Sequence, residues 1–588
     1  MKNFKNKTKK SLSLLLSPPL GYMLLFFIFP IFILFLYSFW ISENYEIIKS
    51  LTFSNYIRVF SEKINLTLIF RSVYVGLVVS FFTIIISIPV AYGLTFNERL
   101  KKYKDYFLFM ILIMLFSSYL VRVYAWRTIL GDFGIINRAL MMLGIIDKPL
   151  TFLLYNKFAV IISLIHILAP FTLLPIFSSM QNINPEYLQA SRDLGASAPK
   201  TFFRVTLPLC KPGLITAFIF SFILSAGDYV TPALLGGTSG LMIGKVIADK
   251  FGIMFDWSFG SAITFILLII IFLIFFIVIN IPRISGHFEK FIRSKFSNIR
   301  INNNKKYYIK SELTYSKLKY GFGNKLVYVL KKIPSFEIYS FLFLIFMLLP
   351  VIIIIVFSFN ASRIPIFPFT GFSLKWYKEV LTDINFLNAI RNSFIIAFFT
   401  AVLAGIFGAS AAFAFNRFKF RLKNIIYFII VFPTTIPGLL LGISLLSFFT
   451  FIKLQLSIIT VIFAHLVFTI PFVFLNINSA LANFDISIED AARDLGASTY
   501  LIFRKITFPI IKSALIGGLL IAFALSFDEF IVTFFVIGGG QNTVPMLIFS
   551  MLRRGISPAI NAISSMVLII SFIFITIANR FTKLKVTV

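Results

Sequence analysis

Twelve apolar runs divide the chain, near residues 13–40, 65–94, 105–121, 158–180, 209–226, 260–282, 338–358, 388–415, 424–446, 456–480, 511–527 and 559–579. A bilayer's hydrocarbon core takes about 20 apolar residues of helix to cross. No water is available there, so each crossing segment must close its own backbone hydrogen bonds, as an α-helix does. The runs therefore predict an all-α, polytopic membrane protein of about twelve transmembrane helices. Composition agrees: 59% of the 588 residues are hydrophobic, 76 are Phe and only 13% are charged, which is far too apolar for an ordinary soluble globule. The first run is long and has no A-x-A-like cleavage site, so it is expected to stay as a span rather than leave as a signal peptide.

The net charge of +32 raises the question of a nucleic-acid partner. The strongest basic clusters are the N-terminal KNFKNKTKK, NERLKKYK (97–104), NRFKFRLK (416–423), the stretch 283–337 and the C-terminal NRFTKLKVTV. With twelve spans they all fall on one side. That is the positive-inside pattern, and it places both termini and the 283–337 stretch in the cytoplasm. The basic residues thus set topology in the lipid bilayer, and no nucleic acid is needed to explain them.

Chemistry is sparse. A single cysteine, Cys210, excludes an internal disulfide and a cysteine metal cage. His166, His287 and His465 are scattered and form no HExxH-type metal site. The Gly244-Lys245 pair is followed by Val246 and lacks the glycine spacing of a phosphate-binding loop. The sequence therefore predicts no catalytic residue, no metal site and no cofactor bound by the chain.

One charged phrase occurs twice, ASRDLGAS at 190–197 and AARDLGAS at 491–498, 301 residues apart. Pro170 and Pro471, and Pro208 and Pro509, share that offset, and Asp228 faces Asp528 within one residue of it. The chain thus reads as two parallel six-helix repeats, 1–282 and 338–588, joined by a basic, flexible cytoplasmic linker at 283–337, with a pathway between the halves. Each phrase lies between the fourth and fifth spans of its half, in loops of about 182–207 and 483–508. Asn184 and Pro185 suit the start of a short helix, and Ser487-x-x-Asp490 resembles a capping box. Gly195 and Gly496 suit the left-handed position that ends one, after which Ser197 or Ser498 can cap the next. This helix–turn–helix is clamped between two spans and cannot readily enter a DNA groove.

The phrase resembles the cytoplasmic E-A-A-x-x-x-G signature of ABC importer permeases, with Leu207-Pro208 and Phe508-Pro509 in the positions of its following L-P. The resemblance implies the MetI-like permease fold and makes the short helix a coupling helix for a separate ATPase. It carries over to Gln189, Ala190, Ser191 and Gly195, and to Asp490, Ala491, Ala492 and Gly496. Gln189 and Asp490 depart from the signature glutamate, which leaves the role of that carboxylate open. Two copies of an ABC ATPase would dock here, using ATP and Mg, and two permease subunits would be fused in one chain.

The stretches SAGDYVTPALLGG (225–237), MIGKVIADKFGIMFDWSFGSA (242–262) and 526–564 further resemble the two permeases of spermidine/putrescine importers. That implies an extracytoplasmic polyamine-binding protein as partner and a bacterial inner membrane. Asp228, Asp528 and Glu529 end equivalent spans of the two halves, where carboxylates suit a polycation, and Tyr229, Trp257, Phe527 and Phe530 can offer cation–π contacts. The alternatives are carboxylates in interfacial water and Trp257 as a membrane-belt residue. Arg553-Arg554 interrupts an acidic outer face and suits contact with the binding protein. Within the class, ferric iron, an aminophosphonate or another small ion is the competing cargo. Outside it, a secondary transporter or channel would need a charged relay in mid-span, for which Arg71 and Arg391 are the available residues.

Overall fold

The computed structural model describes residues 2–115, 117–296, 335–362, 369–482, 484–554 and 557–582. Among these, eight helices are long and apolar enough to cross a membrane, or up to eleven when three bent pairs each count as one span. A shorter apolar segment, Pro558–Phe574, lies within a final helix Pro558–Thr582. Each expected run thus falls on a helix or a bent helix pair. The described residues outside the helices include a two-stranded antiparallel ribbon, Ile41–Glu43 with Glu46–Ile48. The sixth helix runs from Trp257 to Phe296, so the first part of the expected linker is helical; residues 297–334 of it lie outside the described residues.

The halves repeat one another element by element. The second and eighth helices, Lys63–Phe96 and Ile384–Arg417, have 34 residues each. The fourth and tenth, Lys157–Gln181 and Ile458–Ala482, have 25 each. Ser72 Oγ accepts from the Ile243 N–H at 2.9 Å, and Ser393 Oγ accepts from the Val544 N–H at 2.9 Å, fixing the same outer helix in both halves. Close helix approach uses small residues, as in membranes generally: a Cβ on Gly408 would stand 2.8 Å from Val473 Cβ.

Three spans are broken. The third bends by 90° between Lys104–Leu115 and Tyr119–Met142, and the ninth by 108° between Lys423–Thr435 and Gly438–Phe451. In the ninth, Ile436 and Pro437 are extended (ψ 134° and 135°), since the residue before a proline is pushed out of the helical region. In the third, Ser118 leaves that region at ψ 129°. The fifth bends by 68° between Ala198–Leu209 and Lys211–Ala226, whereas its counterpart Thr499–Asp528 is a single helix. Pro212 sits at that bend and Ser513 holds the equivalent place, so only the first half lacks an N–H there.

Each half's first span leans on the other half. In Ser11–Tyr37, the Tyr22 hydroxyl donates to the Phe463 carbonyl and Phe26 packs among Phe448, Phe449 and Phe463. In Phe336–Ser358, the Tyr339 hydroxyl donates to the Ile86 carbonyl at 3.0 Å and the Met347 carbonyl lies 3.0 Å from His166 Nε2. The sequence repeat predicts two facing bundles; the structure interlocks them.

Candidate functional site

Both repeated phrases form the same turn. A helix Pro185–Asp193 or Ser487–Asp494 is followed by Gly195 (φ 79°) or Gly496 (φ 83°), and the chain restarts at Ala198 or Thr499. A Cβ at either glycine would meet nothing within 4 Å, so it is the left-handed backbone that calls for glycine here. Asn184 Oδ1 accepts from the Glu186 N–H at 3.1 Å, as an N-cap should. In the second copy the capping residue is Asp485 rather than Ser487: its Oδ1 accepts from the Ser487 N–H at 3.0 Å, and that donor holds the carboxyl below the usual carboxylate range. Ser498 Oγ accepts from the Leu501 N–H at 3.3 Å, while Ser197 makes no side-chain cap.

The outward faces match. Gln189 and Ala190, like Asp490 and Ala491, are exposed, and Ser191 and Ala492 are half-buried. At the tips Leu194 and Leu495 are each 89% exposed, a costly position for leucine in water. The inward faces differ. The first helix buries Leu188, and Ser191 Oγ lies 3.1 Å from Thr201 Oγ1. The second buries Glu489, which accepts from Arg417, the last residue of the eighth helix, and from the Thr507 hydroxyl.

At the breaks of the third and ninth spans the halves enclose a cavity of about 210 Å³. Asp228, Asp528 and Glu529 line it together with Tyr119 and Arg122 of the third span and Pro437 of the ninth. Tyr119 ties the two halves. Its hydroxyl donates to Asp228 Oδ1 at 2.6 Å, and its N–H, at the start of a half-helix, donates to Asp528 Oδ2 at 3.2 Å. Ser118 adjoins the same carboxylate. Asp228 also accepts from the Val230 and Thr231 N–H groups, both at 3.2 Å, and Glu529 from Val532 N–H at 2.8 Å. The positive ends of short helices thus help hold three carboxylates at one chamber.

Residues 19–285 and 401–585 match the family described as binding-protein-dependent transport system inner membrane component. The chain belongs to this family. It is 35% identical over 248 residues to the spermidine/putrescine transport system permease protein PotC of Escherichia coli (strain K12), covering 42% of this chain and 92% of that protein. It is 37% identical over 230 residues to the putrescine transport system permease protein PotI of the same strain, covering 38% of this chain and 82% of that protein. To the permease PotB of Haemophilus influenzae it is 32% identical over 227 residues, covering 39% of this chain and 78% of that protein. The chain is a fusion of two permease units, an ABC importer permease of the inner membrane and not an enzyme. An ATPase and a substrate-binding protein are the partners its family implies.

Within this permease, four of the seven pathway residues singled out from sequence line the chamber: Asp228, Asp528, Glu529 and Phe530. Asp228 is buried, which removes the interfacial-water alternative for it. Tyr229 is buried just outside the lining, its ring centroid 6.4 Å from that of Phe530. Phe527 turns the other way, 5.2 Å from Phe394. Trp257 is not at the chamber; it stacks near Phe251 and donates to that residue's carbonyl at 3.1 Å. His166 and His465 are buried packing residues, the latter between Ser526 and Thr533. Arg71 is no mid-span relay, since it donates to the Thr238 and Leu241 carbonyls, and Arg391 is exposed. Arg553 and Arg554 are exposed. Sequence reasoning missed Tyr119 and Arg122. Their signal was present, an arginine next to an apolar run, but the expected span stopped at residue 121 and made Arg122 look like a flank.

Proposed function

We propose that this permease imports polyamines of the spermidine/putrescine class, by alternating access driven by two copies of a separate ATPase. The observation that carries the cargo is the chamber: three carboxylates from both halves converge on one cavity, which offsets the desolvation cost of an ammonium-bearing solute. The relatives' own cargo supports the same choice. One ATPase docks under Gln189, Ala190, Ser191 and Gly195, and the other under Asp490, Ala491, Ala492 and Gly496. The equal exposure of Leu194 and Leu495 supports this, because an apolar tip in a charged loop suits insertion into a partner's cleft. The ATPases use ATP and Mg and lie on the cytoplasmic side with both termini, and an extracytoplasmic binding protein delivers cargo to the opposite face, where exposed Arg553 and Arg554 are available to it.

Uptake of labelled spermidine into proteoliposomes holding the chain, its ATPase and its binding protein tests this reading. ATP-dependent uptake that unlabelled putrescine inhibits supports it. ATP hydrolysis without polyamine uptake moves the cargo to ferric iron, an aminophosphonate or another small ion, and uptake with no ATPase present overturns the mechanism.

A further inference from the structure

The chamber contains one group of the wrong sign for a cationic cargo. Arg122 is 3% exposed and lines the same cavity as the three carboxylates. Its Nη1 donates to the Ile167 carbonyl at 3.0 Å, and its Nε has no hydrogen-bond partner among the described residues. Asp528 Oδ1 has none either. Arg122 and Asp528 line the same cavity, yet the two side chains do not close into an ion pair, which is where a purely structural buried arginine would gain most. Instead a backbone carbonyl holds the guanidinium, one turn beyond Tyr119, as a fixed positive charge on the same chamber as an unsatisfied carboxylate oxygen.

That arrangement matters to a transporter more than to a binder. Three carboxylates alone would make a deep well for an ammonium group, and a transport site must be favourable enough to enter yet weak enough to leave. We propose that Arg122 is a release-determining residue, whose fixed guanidinium weakens the hold of the Asp228–Asp528–Glu529 chamber on a primary-ammonium cargo and so sets its rate of departure. The free Asp528 Oδ1 takes the ammonium, and Arg122 limits how tightly. This rests on the chamber being the cargo path, so the test must separate the two claims.

Initial rates of labelled putrescine uptake are measured in proteoliposomes holding the full complex, for the native chain and for R122K, R122Q and D528N. With Arg122 setting release, R122Q lowers KM by at least about tenfold, the effect of one like charge even about 12 Å away at an effective dielectric near 20, and lowers kcat in parallel; R122K keeps both near the native values. R122M carries the same comparison should R122Q not assemble. A KM that rises or stays unchanged in the neutral variants overturns the role of Arg122. Uptake that is unaffected in D528N overturns the cargo path itself, whatever the arginine variants do.

Discussion

The two repeated loops follow the same backbone course and are anchored by different chemistry. Both turn at a glycine with φ near 80°, and both present an 89% exposed leucine. Beneath, the first rests on buried Leu188, and the second on buried Glu489 held by Arg417 and Thr507. The second and eighth helices end at Phe96 and Arg417, so the same helix end is apolar in one half and basic in the other. Ser191 and Thr201 in the first loop become Ala492 and Ile502 in the second, exchanging a hydrogen-bonded pair for an apolar one. The outer surface is repeated, as the proposed docking of two copies of one ATPase requires. The inner surface is free to differ wherever both members of a pair change together.

The comparison can be broken most severely at Glu489. Glu489→Ala leaves the half-buried Arg417 without its carboxylate partner and should cost up to about 3 kcal/mol locally, seen as faster amide exchange across Ser487–Asp494 and loss of ATPase co-purification. Copying the first half with Glu489→Leu and Arg417→Phe together should restore exchange to within about 1 kcal/mol of the native chain, because a well-packed apolar replacement of an ion pair is often neutral. Leu188→Ala should cost about 2 kcal/mol, the low end for a buried leucine at an edge that can collapse, with faster exchange confined to the first loop. Ser191→Ala should cost about 1 kcal/mol by leaving the buried Thr201 without that partner, and adding Thr201→Ile should recover most of it. The smallest effect concerns pH. The Asp485 carboxyl is held below the usual carboxylate range, so its cap is fully present above the unfolded value and is lost as pH falls through the folded one. Exchange at the start of Ser487–Asp494 should rise on acidification through that window, while Asn184, which does not titrate, keeps the first loop unchanged.

Much of this was legible in the sequence for physical reasons. Apolar length marks spans because backbone groups have no alternative partner in lipid, and a glycine after a short capped helix marks its end. The repeat placed the two loops and brought Asp228 and Asp528 into correspondence. What was not legible depends on tertiary geometry. The expected run 424–446 passes straight through Pro437, where the ninth span breaks, and nothing in Ser117-Ser118 marks the 90° bend of the third. Tyr119 and Arg122 became part of the chamber only through that bend. Trp257 shows the reverse: an aromatic of the stretch 242–262, weighed as a pathway or membrane-belt residue, packs near Phe251 and away from the chamber. The interlocking of Tyr22 and Tyr339 with the opposite halves has no local signal, because both sides of each contact are ordinary apolar helix.

The most direct test of one chain serving as both subunits is a count of ATPases per permease by native mass spectrometry of the purified complex. Two ATPases are expected on the native chain, and one when either Leu194 or Leu495 is changed to Asp, since the loops are separate docking sites with a common surface. A single ATPase on the native chain, or two retained after both leucines are replaced, would contradict the assignment of the two repeated loops.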